Sequence, residues 1–259
     1  FMKIMRLHRW LLDEYKRDGS FAWGKTIVGY STLVLAIIII SGLVIWYPRN
    51  RKALKNRFKI RTKAGWFRFL YDLHVSGGFY AALLLLILAL TGLTWSFGWY
   101  RDAFYTAFGI STTSKQTHAP TSAVPQKTAG ERGSKKHPKT DYTQWAEVLA
   151  DLQSRYPEYK SISIQDGSAT VSTAAYGNTR GSDRYSFDPA TGKITEIQLY
   201  KDLPKSAKIR GWIYSVHAGT WGGLTTRILS CLVSLLGAVF AITGYYFWIK
   251  KKLRKSKQR

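Results

Sequence analysis

The chain has 259 residues, with 39 Lys and Arg against 15 Asp and Glu, and a formal net charge of +24. On a soluble protein such a charge would point to nucleic acid. Here the distribution argues against that partner. Arg49, Arg51, Lys52, Lys55, Arg57, Lys59, Arg61, Lys63 and Arg68 form one acid-free run, and Lys250, Lys251, Lys252, Arg254, Lys255, Lys257 and Arg259 form another. Each begins where a long apolar run stops, which is the positive-inside pattern of a membrane protein. The single Cys231 lies inside an apolar run, so no disulfide framework exists, and its simplest role is small apolar packing.

In chain order, residues 1–25 are an amphipathic, charged segment without the features of a signal peptide. Residues 26–47 are uncharged, with Ala36 to Ile40 at their centre. At 1.5 Å per residue they reach about 33 Å, enough to cross the hydrocarbon core. Pro48 and a basic loop over 48–68 stop this first span. The second span is expected over 69–97 and the third over 224–249, followed by the basic tail 250–259. Trp46, Tyr47, Trp95, Trp99, Tyr245, Tyr246 and Trp248 sit at span ends and read as an aromatic belt.

Charge sets the expected direction. The loop 48–68 and the tail lie in the cytoplasm, and residues 98–223 lie outside, as does the N-terminus. An outer N-terminus without an export signal implies a further span upstream of Phe1.

Between the second and third spans the pattern changes. Residues 98–140 read as an outer linker, rich in Ser, Thr, Lys, Pro and Gly from 111 onward. Residues 141–200 read as a folded unit. Tyr142, Trp145, Val148, Leu149 and Leu152 recur at helical spacing, and Asp141 is placed to cap that helix. Ser161–Gln165, Ala169–Thr173 and Arg184–Phe187 read as short strands, and the turn Asp188–Gly192 leads into a fourth over Lys193–Leu199. One helix on a small sheet is an α+β unit without a catalytic cluster; Asp183 and Asp188 read as turn residues. Residues 201–223 lead back to the membrane. The expected fold class is a membrane all-α helical bundle carrying a small α+β extracytoplasmic domain.

The spans echo one another. Ser41-Gly42, Thr91-Gly92 and Thr243-Gly244 each sit near the end of one. Such small residues allow close helix packing, or room for a flat ligand. Of the five histidines, His118 and His137 lie in the polar linker and read as solvated. The other three lie at membrane boundaries: His8 in Leu7-His8-Arg9-Trp10, His74 in Leu73-His74-Val75-Ser76-Gly77-Gly78, and His217 in Val216-His217-Ala218-Gly219. An ionisable residue at membrane depth is a functional candidate by default. A neutral imidazole facing a neighbouring helix is a good axial ligand for haem iron, and nearby glycines leave space for the porphyrin face. On that reading His8 pairs with His217, and His74, at the opposite end, has no histidine partner in this chain. The plainer alternative for each is an interfacial residue whose N–H is satisfied locally.

These residues resemble the PepSY-associated transmembrane proteins, often called iron-regulated membrane proteins. The resemblance covers almost the whole chain. It is carried by Leu7-His8-Arg9-Trp10-Leu11, Ser41-Gly42 through Trp46-Tyr47-Pro48-Arg49, Leu73-His74 with Gly77-Gly78, Leu90-Thr91-Gly92, the Phe187-Asp188-Pro189 to Gly192 turn, and His217 with Gly222-Gly223. It implies four spans and a PepSY-like outer domain, in a bacterial inner membrane, with three spans present here. Some relatives are ferric-siderophore reductases with two b-type haems. The resemblance therefore implies two haem b groups in the complete protein, with His8, His217 and His74 as axial ligands to iron. Electrons would pass to an outer ferric siderophore or similar chelate. No flavin or nicotinamide fingerprint appears, so the donor would be a cytoplasmic protein, a quinol or a domain outside this chain. The alternative is a membrane-anchored PepSY domain that binds or inhibits a peptidase or other outer partner. A transporter of iron chelates is less attractive, because the central portions of the spans lack carboxylates.

Overall fold

A computed structural model describes residues 2–13, 21–48, 54, 57–110, 142–173 and 177–256, the side chain of residue 255 excepted. Asp141, His118, His137, most of the linker and part of the first basic run lie outside the described residues. The chain divides into two compact units, residues 1–101 with 213–259, and residues 102–212.

The first unit is helical. A short helix α1 (Met2–Trp10) precedes α2 (Trp23–Trp46). The helix α3 runs over Trp66–Ser96, with a π-helical turn at Leu73–Gly77, and α7 covers Gly223–Ser256. Between them come α4 (Gly98–Ala107), where the sequence suggested the start of a linker, and α6 (Lys205–His217). The division between the units falls within α4 and within α6. The three long helices α2, α3 and α7 have the length and apolar content to cross a bilayer.

Of these, α3 is the central one: 33% of its most apolar window is buried, against 11% in α2 and in α7. Its buried positions are mostly small, Ala81, Ala82, Ala89, Thr91 and Thr94, which lets neighbouring backbones come close. Trp46 near the end of α2 stacks on Phe79 of α3 at 3.9 Å, while Tyr30 near the start of α2 meets Phe97 edge-on at 5.2 Å. Thus α2 runs antiparallel to α3. On α7, Phe240 and Phe247 meet His74 near the start of α3, and Gly237 lies against Leu85, so α7 is antiparallel to α3 as well.

The segment 57–61 is tied to the start of α3. Ser76 Oγ donates to the carbonyls of Arg57 at 2.6 Å and Lys59 at 3.3 Å, and the Arg61 N–H donates to Asp72 Oδ2 at 3.1 Å. Asp72 is buried and forms an ion pair with Arg68 at 2.9 Å. The Arg57 guanidinium caps the end of α2 by donating to the carbonyls of Ile45 and Trp46.

The second unit holds helix α5 (Trp145–Arg155) and four antiparallel strands in the order β1 (Ser161–Gln165), β2 (Ser168–Ser172), β3 (Asp183–Phe187) and β4 (Ile194–Gln198). Period-2 alternation puts Ile162, Ile164, Ala169, Val171, Tyr185 and Phe187 on one face, where Val148 and Leu152 of α5 cover them. The opposite face carries Ser161, Ser163, Thr170, Arg184 and Ser186 in facing register. The β1–β2 hairpin turns on Asp166-Gly167, with Gly167 at φ +71°, a conformation glycine adopts without steric cost. The Asp188 turn is as read from sequence: Asp188 accepts from the Ala190 N–H at 3.1 Å and the Thr191 hydroxyl at 2.8 Å.

Asp183 is not a turn residue. It opens β3, is buried, and joins three parts of this unit. Its Oδ2 accepts from the Tyr156 hydroxyl at 2.5 Å and its Oδ1 from the Tyr200 N–H at 2.6 Å. Burial pushes the Tyr156 phenol well above the usual tyrosine range, and the hydrogen bonds to Asp183 and Tyr185 push it further. Tyr156 therefore stays protonated and donates. Asp183→Ala leaves the phenol and the Tyr200 N–H without that acceptor. The expected cost is about 1–3 kcal/mol, read as faster amide hydrogen exchange in β2 and β3; unchanged exchange would show that this carboxylate is not the brace.

Candidate functional site

Two histidine stations lie in the helical unit, at opposite ends of α3. The first gathers His8 and His217. α6 ends at His217 because the chain turns there: the Gly219 N–H bonds the Val216 carbonyl at 3.1 Å and the Thr220 N–H the Ser215 carbonyl at 2.8 Å. Gly219 has φ +65°, and an added Cβ would fall 2.5 Å from Ser230 Oγ on α7. The turn thus holds His217, at the end of α6, close against α7 and within reach of α3.

The His217 ring rests on the Thr91-Gly92 pair of α3. Its Nδ1 lies 2.9 Å from the Leu88 carbonyl and 3.1 Å from Thr91 Oγ1. A carbonyl can only accept, so Nδ1 carries the proton. Thr91 spends its own proton on the Ile87 carbonyl at 2.7 Å and accepts on the His217 side. Nε2 is then left with a lone pair. The ring Cε1 is 3.1 Å from where a Cβ on Gly92 would sit, and Trp95 meets the ring edge-on at 5.1 Å. Burial pushes the His217 ring below the usual imidazole range, with the neighbouring His8 adding to it, so the ring is neutral near pH 7.

His8 is exposed, on α1, with its ring centroid 6.0 Å from that of His217 and the planes 36° apart. α1 is held on α2 by the residues that follow it. Asp13 Oδ2 accepts from the Gly24 N–H at 3.2 Å, and Gly24 packs so tightly on the Trp10 carbonyl that a Cβ there would overlap it.

The second station is His74, within the π turn of α3. It repeats the first. Its Nδ1 lies 2.8 Å from Thr243 Oγ1, and its Cε1 is 3.2 Å from where a Cβ on Gly244 would sit. Thr243 donates to the Val239 carbonyl at 2.8 Å, so toward the ring it accepts, and His74 carries its proton on Nδ1 as His217 does. Phe240 and Phe247 meet the ring edge-on, each at 5.9 Å.

The structure therefore brings His8 and His217 together and sets His74 apart. Gly92 and Gly244 were read as allowing either close helix packing or room for a flat ligand; in the structure each is the close-packed surface on which an imidazole from the neighbouring helix rests. The third pair, Ser41-Gly42, differs: Ser41 is exposed and bonds the Ile38 carbonyl at 2.9 Å, and nothing lies within 4 Å of a Cβ placed on Gly42. Sequence reasoning missed Thr91 and Thr243 as histidine partners, and Asp72 and Ser76 as braces of the turn that carries His74. The repeated Thr-Gly pair was the available signal. Among the described residues no cluster of three or more His, Cys, Asp or Glu side chains is arranged to hold a bare metal ion.

Three bilayer-length helices, a helical unit with two histidine stations, and a small α+β domain define a multi-pass membrane protein. The family model described as the PepSY-associated TM region matches residues 1–251, and the chain belongs to that family. A search of curated proteins finds no match.

Gly24→Ala puts a methyl into the Trp10 carbonyl. α1 is expected to lift from α2 and carry His8 away from His217, seen as faster amide exchange over residues 2–13.

Proposed function

We propose that this protein holds haem b between His8 and His217 and passes electrons across the membrane to an outer ferric chelate, a siderophore or a similar iron carrier. The observation that carries the reading is the spacing of the two rings. The pair here stands at 6.0 Å. Two imidazoles from different helices that stand this close would be the residues to hold the iron of a haem b. The Nδ1–H of His217 is anchored on the Leu88 carbonyl, which leaves Nε2 as the ligand atom, the arrangement usual for a metal-bound histidine. His74, held in the same tautomer by Thr243, is the ligand offered to a second haem.

Bound haem supplies one-electron redox chemistry at a potential set by its ligands and surroundings. The protein's part is to fix the two imidazoles, keep His217 neutral and surround the site with apolar helix. One electron converts one chelated Fe(III) to Fe(II), which oxygen-rich chelators hold poorly, so reduction releases the metal. The acid-free basic runs around 57–68 and 250–254 support placing those ends in the cytoplasm of a bacterium, with the chain in the inner membrane. His74 then lies at the cytoplasmic end and His8 with His217 at the outer end, residues 98–223 lying outside. The donor is a cytoplasmic protein or a quinol.

Purified protein is expected to show a Soret band that sharpens and shifts on dithionite reduction. His8→Ala and His217→Ala should each lose the contribution of the outer haem, while His74→Ala spares it. A colourless preparation after expression with excess haem, or a spectrum indifferent to both outer substitutions, would overturn the reading.

A further inference from the structure

The two histidine stations look alike but are secured differently. At His217 the Nδ1 proton has two acceptors, the Leu88 carbonyl at 2.9 Å and Thr91 Oγ1 at 3.1 Å. The carbonyl belongs to the α3 backbone, and no side-chain substitution removes it. At His74 the acceptor is a side chain, Thr243 Oγ1 at 2.8 Å, from a helix whose position differs by 169 residues in sequence. Thr243 is buried, and its own proton is committed to the Val239 carbonyl on the preceding turn of α7. Phe240, Phe247 and Gly244 also meet the His74 ring; they are apolar and do not distinguish Nδ1 from Nε2.

We propose that Thr243 is the positioning residue for His74, setting which ring nitrogen is left free, and that Thr91 is dispensable for the same task at His217. The physical basis is the cost of an unpaired N–H in an apolar surrounding. With Thr243 in place, a proton on Nε2 would set the Nδ1 lone pair against the threonine oxygen, and Thr243 would have to withdraw its own proton from the Val239 carbonyl to meet it. The ring therefore keeps its proton on Nδ1 and presents Nε2. With Val at 243 the shape is preserved and the acceptor is gone. The ring is then free to exchange tautomers or to flip. With Val at 91 the Leu88 carbonyl still holds the His217 proton.

The inference rests on the proposed function only for its haem readout, so the test has two arms. In the haem-free full chain in lipid nanodiscs, nitrogen-15 NMR of labelled histidines reports the tautomer directly. Wild type and Thr91→Val are expected to show His74 and His217 protonated on Nδ1. Thr243→Val is expected to give a mixed or reversed His74 signal, and Thr243→Ser to restore it. In the haem-loaded chain, Thr243→Val should weaken retention at the His74 station by about 10- to 100-fold and shift its midpoint potential, with Thr243→Ser near wild type and Thr91→Val unchanged. An unaltered His74 tautomer in Thr243→Val overturns the inference, as does equal damage from Thr91→Val. A wild type that retains no haem overturns the proposed function instead, and the tautomer comparison still decides the role of Thr243.

Discussion

A polar side chain inside a bilayer must find its partner within the protein, because lipid offers none. That constraint organises the helical unit around α3. His217 and His74 each satisfy Nδ1 on an adjacent helix. The acceptors are a backbone carbonyl and two threonine hydroxyls whose own protons return to their helices. The glycine after each threonine lets the imidazole lie directly on the helix surface. Small residues along α3 serve the same end, since α6 and α7 must approach it closely for these bonds to form.

The α+β unit meets the related demand, in water, with a carboxylate. Asp183 ties the chain just after α5, the start of β3 and the approach to Tyr200 into one network. Its neighbours satisfy it fully enough that burial is tolerable, and the protonated Tyr156 is what makes the Tyr156–Asp183 contact a hydrogen bond.

The sequence made the architecture legible where the signal is local. The spans follow from uninterrupted apolar runs bounded by aromatic and basic residues. Strands β1 to β4 follow from alternation and from turn chemistry at Asp188–Gly192, and their ends fall within a residue or so of the expected ones. What escaped depends on contacts across the chain. Asp183 looked like a turn residue because its partners are 27 and 17 positions away. The pairings of His217 with Thr91 and His74 with Thr243 span 126 and 169 positions. The Thr-Gly echo was visible, but its meaning was not: the glycine gives room to a ring of the protein itself. The approach of His8 to His217 was anticipated from membrane side and ligand chemistry; the docking of α1 through Asp13 and Gly24 was not.

The turn Leu73–Gly77 is a π turn, and this has a consequence for how α3 tolerates change. A π turn accommodates one residue more than an ordinary turn. The helix below it is therefore out of phase with the helix above by about 100°, the angular step of one residue. Phe67 and Tyr71, which meet Phe247 of α7, lie on one side of this phase slip, and Ala81 and Thr91 on the other. A homologue with one residue fewer here would have to rewind either the half of α3 that carries Phe67 and Tyr71 or the half that carries Ala81 and Thr91. Length variation between Asp72 and Gly78 should thus be far rarer across the family than substitution at the same positions.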